Sequence, residues 1–261
     1  MSEKPQSAAW RGVFTFTPEQ WGAAVLGGIV GAALALAILF GADAAGLLRG
    51  VTDARINAYL MAHPEVLEAM SDKLQQQEAD AEQAKRQAAV NKIGLAKFFD
   101  PKIAYVTGPA NAKTTVVEFF DYNCPYCKAS LPTIQKFYQA HKNDTRFAFI
   151  EFPIKGPNST RAALAAVAAR AQGDKYIAFH FAMMGMDEVD DAAIDAAAQK
   201  VGLDLSKLNA DIASPATAES INASLRLAHD ADVDGTPTFI VNGKVHPGMM
   251  DDAALKEWLK G

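Results

Sequence analysis

Only two cysteines occur in this chain, Cys124 and Cys127, in the run Phe119-Phe120-Asp121-Tyr122-Asn123-Cys124-Pro125-Tyr126-Cys127-Lys128. No third thiol exists to build a structural disulfide elsewhere, so any thiol chemistry runs through this pair. Two thiols at this spacing close on each other when the second lies one helical turn beyond the first. The nucleophile in thiol exchange is the thiolate, and a free cysteine ionises near ~8.5. At a helix N-terminus, the dipole and unpaired backbone N–H groups favour the anion. The pKa then falls to roughly 3.5–7.5. On this reasoning Cys124 is the exposed attacking thiolate. Cys127, one turn in and more buried, resolves the mixed disulfide.

The flanking residues supply the required corner. Thr114-Thr115-Val116-Val117-Glu118-Phe119-Phe120 is β-branched and aromatic, which predicts a buried strand. Lys128 to about Ala140 predicts a helix with Leu131, Ile134, Phe137 and Tyr138 on one face. Pro125 fits the first helical turn, where its missing N–H is not needed. A zinc site would need two further ligands, and His63, His141, His180, His229 and His246 show no paired spacing. An inert buried pair is out of place at such a corner. No metal and no cofactor are expected.

Half of the 261 residues are hydrophobic and the formal net charge is −5, with no basic stripe, so nucleic acid is not an expected partner. Trp21 to Ala42 carries no charged side chain, and a membrane span needs about 20 such residues. Gly27, Gly31 and Ala35 share one face, as small residues do where membrane helices pack. A cleaved signal peptide is the alternative, since Ala42-Asp43-Ala44 resembles a cleavage site. The tail over residues 1–20 and the length of the apolar run favour an uncleaved anchor. Lys4 and Arg11 before the span balance Arg49 and Arg55 after it, so charge does not set orientation. A Cys-x-x-Cys domain beyond an export segment belongs in an oxidising space, which puts the C-terminal bulk outside the cytoplasm.

After the span, residues 43–100 read as a helical stalk. A short helix from Thr52 to about Ala62 precedes Pro64, and helix formers then run uninterrupted to about Phe98. At ~1.5 Å per residue that second helix is about 50 Å long. Leu67, Met70, Leu74, Ala81, Ala84 and Ala88 make a thin apolar stripe, broken at Gln77. Such a helix is poorly stable alone, so self-association is expected, with a solvated spacer as the alternative. Residues 101–261 read as a mixed α/β domain with the order β-β-α-β, a helical block over about 157–231, then β-β-α. Asn242-Gly243 is a two-residue hairpin signal.

This order resembles thioredoxin-fold oxidoreductases of the DsbA type, from roughly Pro101 to Gly261. The motifs that carry the resemblance are Val117-Glu118-Phe119-Phe120, Cys124-Pro125-Tyr126-Cys127 and Gly235-Thr236-Pro237-Thr238-Phe239. Tyr59-Leu60 and Pro64-Glu65-Val66-Leu67 are similar to the N-terminal module of the ScsC branch, which belongs to a copper-tolerance system and includes oligomeric isomerases. The resemblance implies a thioredoxin-like fold with an inserted helical domain, here preceded by a transmembrane helix and stalk. It implies that Pro237 is the proline beside the cysteines. It also implies that Thr236 pairs with an extended substrate segment through its backbone. Pro125 and Tyr126 would touch substrate. Glu118 would be a buried acid that takes a proton from Cys127 if burial raises its pKa.

The expected activity is extracytoplasmic thiol–disulfide exchange on proteins with cysteines, as an isomerase or reductase of misoxidised chains. A dithiol oxidase and a Cu(I)-binding protein of a copper-tolerance system are the alternatives. The expected partners are a membrane redox protein that resets the pair and further copies of this chain joined through the stalk. The expected location is the periplasmic side of the inner membrane on a single-pass anchor, or soluble periplasm after cleavage.

Overall fold

Thr114–Phe120, seven residues dense in β-branched and aromatic side chains, form the central strand β2, buried over its last five positions. Parallel to it runs β3 (Thr145–Glu151), also buried on both faces. The near-continuous apolar runs follow from this double burial. β1 (Tyr105–Thr107) lies antiparallel along β3, and β4 (Thr238–Val241) antiparallel along β2. The hairpin partner of β4 is β5 (Lys244–Pro247), which closes a five-stranded sheet of order β1-β3-β2-β4-β5. Asn242 and Gly243 both have positive φ, 50° and 84°, as the tight hairpin turn demands. Gly108, at φ +86°, lies where an added Cβ would sit 2.0 Å from the Thr145 carbonyl oxygen, so no larger residue fits between β1 and β2.

This computed structural model describes residues 28–38, 40–41 and 47–260. Residues 28–38 are helical, as are 40–41. Among the described residues no helix is long and apolar enough to cross a membrane. The span expected over 21–42 lies in part outside them. Helix α1 (Leu47–Ala62) begins ahead of the expected Thr52 start. Helix α2 (Glu65–Ile93) has 29 residues, about 44 Å at ~1.5 Å per residue. It stops short of Phe98 because Gly94 takes φ 82° and its N–H bonds back to the Val90 carbonyl. A 3-10 turn, Leu95–Phe99, follows.

The chain divides into two compact units, one ending at Gln75 and the other starting at Gln76. The second unit therefore takes in the C-terminal part of α2, ahead of residue 101. The reason is burial: Val90, Phe98 and Phe99 pack with Val117, Phe119, Ile150 and Ile240 on one face of the sheet. In the first unit Leu67, Met70 and Leu74 are more than half exposed.

The other face of the sheet carries α3 (Pro125–His141) and most of a helical block between β3 and β4, whose last helix instead packs Leu227 and Ala228 with the first face. That block comprises α4 (Pro157–Ala169), α5 (Lys175–Met184), α6 (Asp191–Lys200), α7 (Leu205–Ile212) and α8 (Pro215–Asp230). Ala162, Ala165, Ala166 and Ala169 of α4 are fully buried, so small side chains let these helices approach closely. Helix α9 (Asp252–Trp258) ends the chain, its N-cap Asp251 accepting from the amides of Ala253 and Ala254. Pro132 lies inside α3, which continues through it.

Candidate active site

Cys124 is the N-cap of α3 and Pro125 its first residue, so β2, a four-residue corner and a helix N-terminus carry the cysteine pair. Asp121 builds the corner. It is 2% exposed and accepts from the amides of Asn123 (2.7 Å), Ile154 (2.7 Å) and Lys155 (2.9 Å) and from the Ser159 hydroxyl (2.7 Å). Asn123 exchanges two hydrogen bonds with the Val189 backbone, at 2.8 and 3.2 Å. The Lys128 ammonium donates to the carbonyls of Met186 and Asp187. The segment between α5 and α6 is thereby tied down on both sides of the cysteines.

Both thiols are buried, each 1% exposed, which corrects the expectation of an exposed Cys124. The cause is the segment before β4. The Thr236–Pro237 bond is cis, and the Cys124 thiol donates to the Thr236 carbonyl at 3.1 Å. Pro237 is itself buried, while Pro125 and Tyr126 are exposed, Tyr126 by 63%.

The two thiols nevertheless differ electrostatically. The hydrogen bond from the Cys127 thiol holds the Cys124 pKa down to about 5, against the opposing effect of burial. The Thr236 side chain and the amides of Cys127 and Tyr126 assist. The Thr236 hydroxyl is buried and makes no other hydrogen bond, so it can serve the Cys124 thiolate. Burial pushes the Cys127 thiol far up, and its hydrogen bond to Cys124 and the Glu118 charge add to this.

Glu118 sits on β2 opposite Phe149 of β3 and Phe239 of β4, 2% exposed. Burial, then the nearby Cys124 charge, raises its pKa to about 8, and one carboxyl oxygen has no partner. Among the described residues no group of three or more His, Cys, Asp or Glu could hold a metal ion.

A polar cluster on the same sheet face escaped sequence reasoning. Glu151 accepts from the Tyr176 hydroxyl at 3.0 Å and lies 3.7 Å from the Arg170 guanidinium. Burial lifts its pKa to about 8, against the pull of Arg170. His180 shares a 3.0 Å hydrogen bond with the Tyr122 hydroxyl and stacks among the rings of Phe120, Phe149 and Tyr176. The available signal was a lone polar residue inside an apolar run, Phe149-Ile150-Glu151-Phe152 and Phe179-His180-Phe181. Asp121, Asn123 and Lys128 were visible beside the cysteines but carry no pattern that announces their anchoring role.

A low-pKa thiol capping a helix, with a second thiol one turn behind it and a proline loop in front, is the equipment of a thiol–disulfide oxidoreductase. Comparison with known proteins agrees. The profile of the DSBA-like thioredoxin domain matches residues 115–260, and the chain belongs to that family. Residues 53–81 match the copper resistance protein ScsC N-terminal domain. A thioredoxin-like oxidoreductase from Silicibacter pomeroyi is 40% identical, over 62% of this chain and 93% of its own, with a TM-score of 0.57. Proteus mirabilis ScsC in a transitional conformation is 27% identical, over 82% of this chain and 96% of its own, at 0.59. The Wolbachia pipientis thiol-disulfide exchange protein α-DsbA2 is 28% identical, over 68% and 97%, at 0.59. The Na(+)/H(+) antiporter NhaA 3 of Salinispora tropica is 32% identical over 165 residues, which are 62% of this chain. The chain spans about a quarter of the length of the curated relatives it matches.

Proposed function

We propose that this chain reshuffles or reduces non-native disulfides in protein substrates outside the cytoplasm. The observation that carries the reading is the asymmetry of the pair: Cys124 held to about 5 and Cys127 pushed up beside Glu118 at about 8. The Cys124 thiolate attacks one sulfur of a substrate disulfide and expels the other as a thiolate. In isomerisation a different substrate thiolate then attacks the mixed disulfide and regenerates Cys124, with no net redox change. In reduction Cys127 attacks instead and expels the substrate thiolate, the ionised form of Glu118 takes its proton, and the Cys124–Cys127 disulfide must be reset by an external dithiol partner. Pro125 and Tyr126 present a surface to the incoming chain, and the Thr236 backbone pairs with its extended segment.

The reading treats residues 43–75 as an assembly module and 1–20 and 21–42 as tail and anchor. Exposed Ile29, Val30, Leu34, Leu36, Ile38 and Phe40 support the anchor, and exposed Leu67, Met70 and Leu74 support assembly with further copies of this chain. Joined sites raise the effective concentration for repeated attack on one substrate. A specific observation favours the dithiol oxidase as the second reading: a stabilised thiolate makes the disulfide a better oxidant.

The test compares residues 43–261 with 76–261, a truncation that leaves Val90 and Phe98 in the core. Light scattering should show oligomers only for the longer chain. That chain should reactivate scrambled ribonuclease faster, roughly tenfold or more per site. A monomer that oxidises reduced protein and does not reshuffle would establish the oxidase.

A further inference from the structure

The second half of α2, from Gln76 onward, is clamped to the segment that leads into Thr236-Pro237. Arg86 makes a 2.8 Å ion pair with Asp234, two residues before Thr236. Lys85 makes another, 2.8 Å, with Asp232. Flanking these two and one turn from each other lie Gln83 and Gln87, and Gln83 donates to the Val245 carbonyl (2.6 Å). Gln87 donates to the Gly243 carbonyl (2.8 Å) and accepts from the Val245 amide (3.0 Å). The helix thus grips both the β4–β5 hairpin and the strand's approach to the cysteines.

Stability does not explain the Arg86 pair. Asp234 is 73% exposed, so the pair contributes little to the folded state. Arg86 itself is only 15% exposed and its Nε is buried without a partner, which is unfavourable. What the pair does fix is position. On the far side the loop is held by Gly248 N–H to the Pro237 carbonyl (2.8 Å) and by the Thr238 hydroxyl to the Gly235 carbonyl (2.8 Å). On the near side, Asp232 and Asp234 tie it to α2, Asp234 being the nearer of the two to Thr236, and Thr236 then meets Cys124 at 3.1 Å.

We propose that Arg86, through Asp234, is a positioning residue for thiol exchange: it holds the Thr236–Pro237 segment against Cys124. The inference rests on the proposed function, in which Cys124 is the attacking thiolate. Its consequence is that the helix continuous with the stalk sets the geometry of the substrate-facing loop. A displaced loop withdraws the Thr236 hydroxyl from the thiolate and misaligns the edge on which substrate docks.

The experiment uses residues 43–261 with Arg86→Met, which keeps the stem and removes the charge, together with Arg86→Lys and Asp234→Asn. Thiolate absorbance against pH, KM and kcat on scrambled ribonuclease, and thermal unfolding are measured for each. Arg86→Met should raise the Cys124 midpoint by about one pH unit. It should raise KM roughly threefold to tenfold, with kcat less affected and the unfolding temperature nearly unchanged. Arg86→Lys should restore most of both, because the contact is one N···O pair and not a fork. Asp234→Asn separates position from charge. Removing a nearby negative charge by itself lowers a thiol's midpoint, whereas losing the anchor raises it. The proposal expects a rise, and a double variant no worse than either single one. A lowered midpoint in Asp234→Asn, or an unchanged midpoint and KM in folded Arg86→Met, overturns it. Titration of the wild-type chain tests the attacking role of Cys124 separately. A Cys124 midpoint at the free-cysteine value removes that role and the positioning role together. A low midpoint that Arg86→Met leaves alone removes only the positioning role.

Discussion

The two faces of the sheet use the same strands for opposite ends. Val117, Phe119, Ile150 and Ile240 point to one side, where Phe98 and Phe152 meet Phe119 edge-on at 6.1 and 6.3 Å. Glu118, Phe149, Glu151 and Phe239 alternate with them and belong to the side that carries the cysteines, His180 and Tyr176. One face is packed with apolar side chains. The other buries two carboxyls and an imidazole at the cost of their hydration. The difference puts two buried carboxyls of raised pKa on the cysteines' side of the sheet, backed by an apolar face.

The largest effect should come from setting one face against the other. Phe119→Ala is expected to cost about 3–5 kcal/mol of stability in chemical denaturation while the Cys124 titration stays put. Cys124→Ala should do the reverse, abolishing exchange for about 1 kcal/mol. Cys127→Ala should accumulate mixed disulfides with substrate. If Phe119→Ala shifts the thiolate midpoint, the faces are not separable.

Glu118→Gln should slow the Cys127 attack by roughly tenfold to a hundredfold in single-turnover kinetics, since it removes the proton acceptor. It also has a pH signature. A carboxyl raised from 4.5 to about 8 in the fold contributes stability below its unfolded pKa and loses it as pH rises through that window. The stability of the parent relative to Glu118→Gln should therefore fall between about pH 4.5 and 8 and level off above. A flat difference in denaturant melts would mean that Glu118 does not keep its proton in the fold.

The smallest effect concerns His180, whose pKa burial lowers from 6.5 to about 3. It stays neutral in the fold and takes up a proton on unfolding, so stability is lost as pH falls from about 6.5 toward 3. His180→Gln should blunt that acid loss in melts at pH 4 to 6.5 without altering exchange at neutral pH. A change in the neutral rate would tie His180 to the chemistry.

Local pattern was enough for much of this molecule. The strand at Thr114–Phe120, the cysteines at a helix N-terminus, the Asn242-Gly243 turn and the helical block all follow from periodicity and turn chemistry, which act over a few neighbouring residues. Three decisions belong to tertiary structure. Cys124 is buried because a loop 112 residues away closes over it. The last part of α2 joins the second compact unit because the apolar face of the sheet has to be covered and Val90 lies within reach. Glu118, Glu151 and His180 share one wall because strand register put Phe149 opposite Glu118 and Glu151 opposite Phe120. Pairing across distant segments depends on which surfaces remain to be buried once every element has formed, and no short stretch of sequence contains that information.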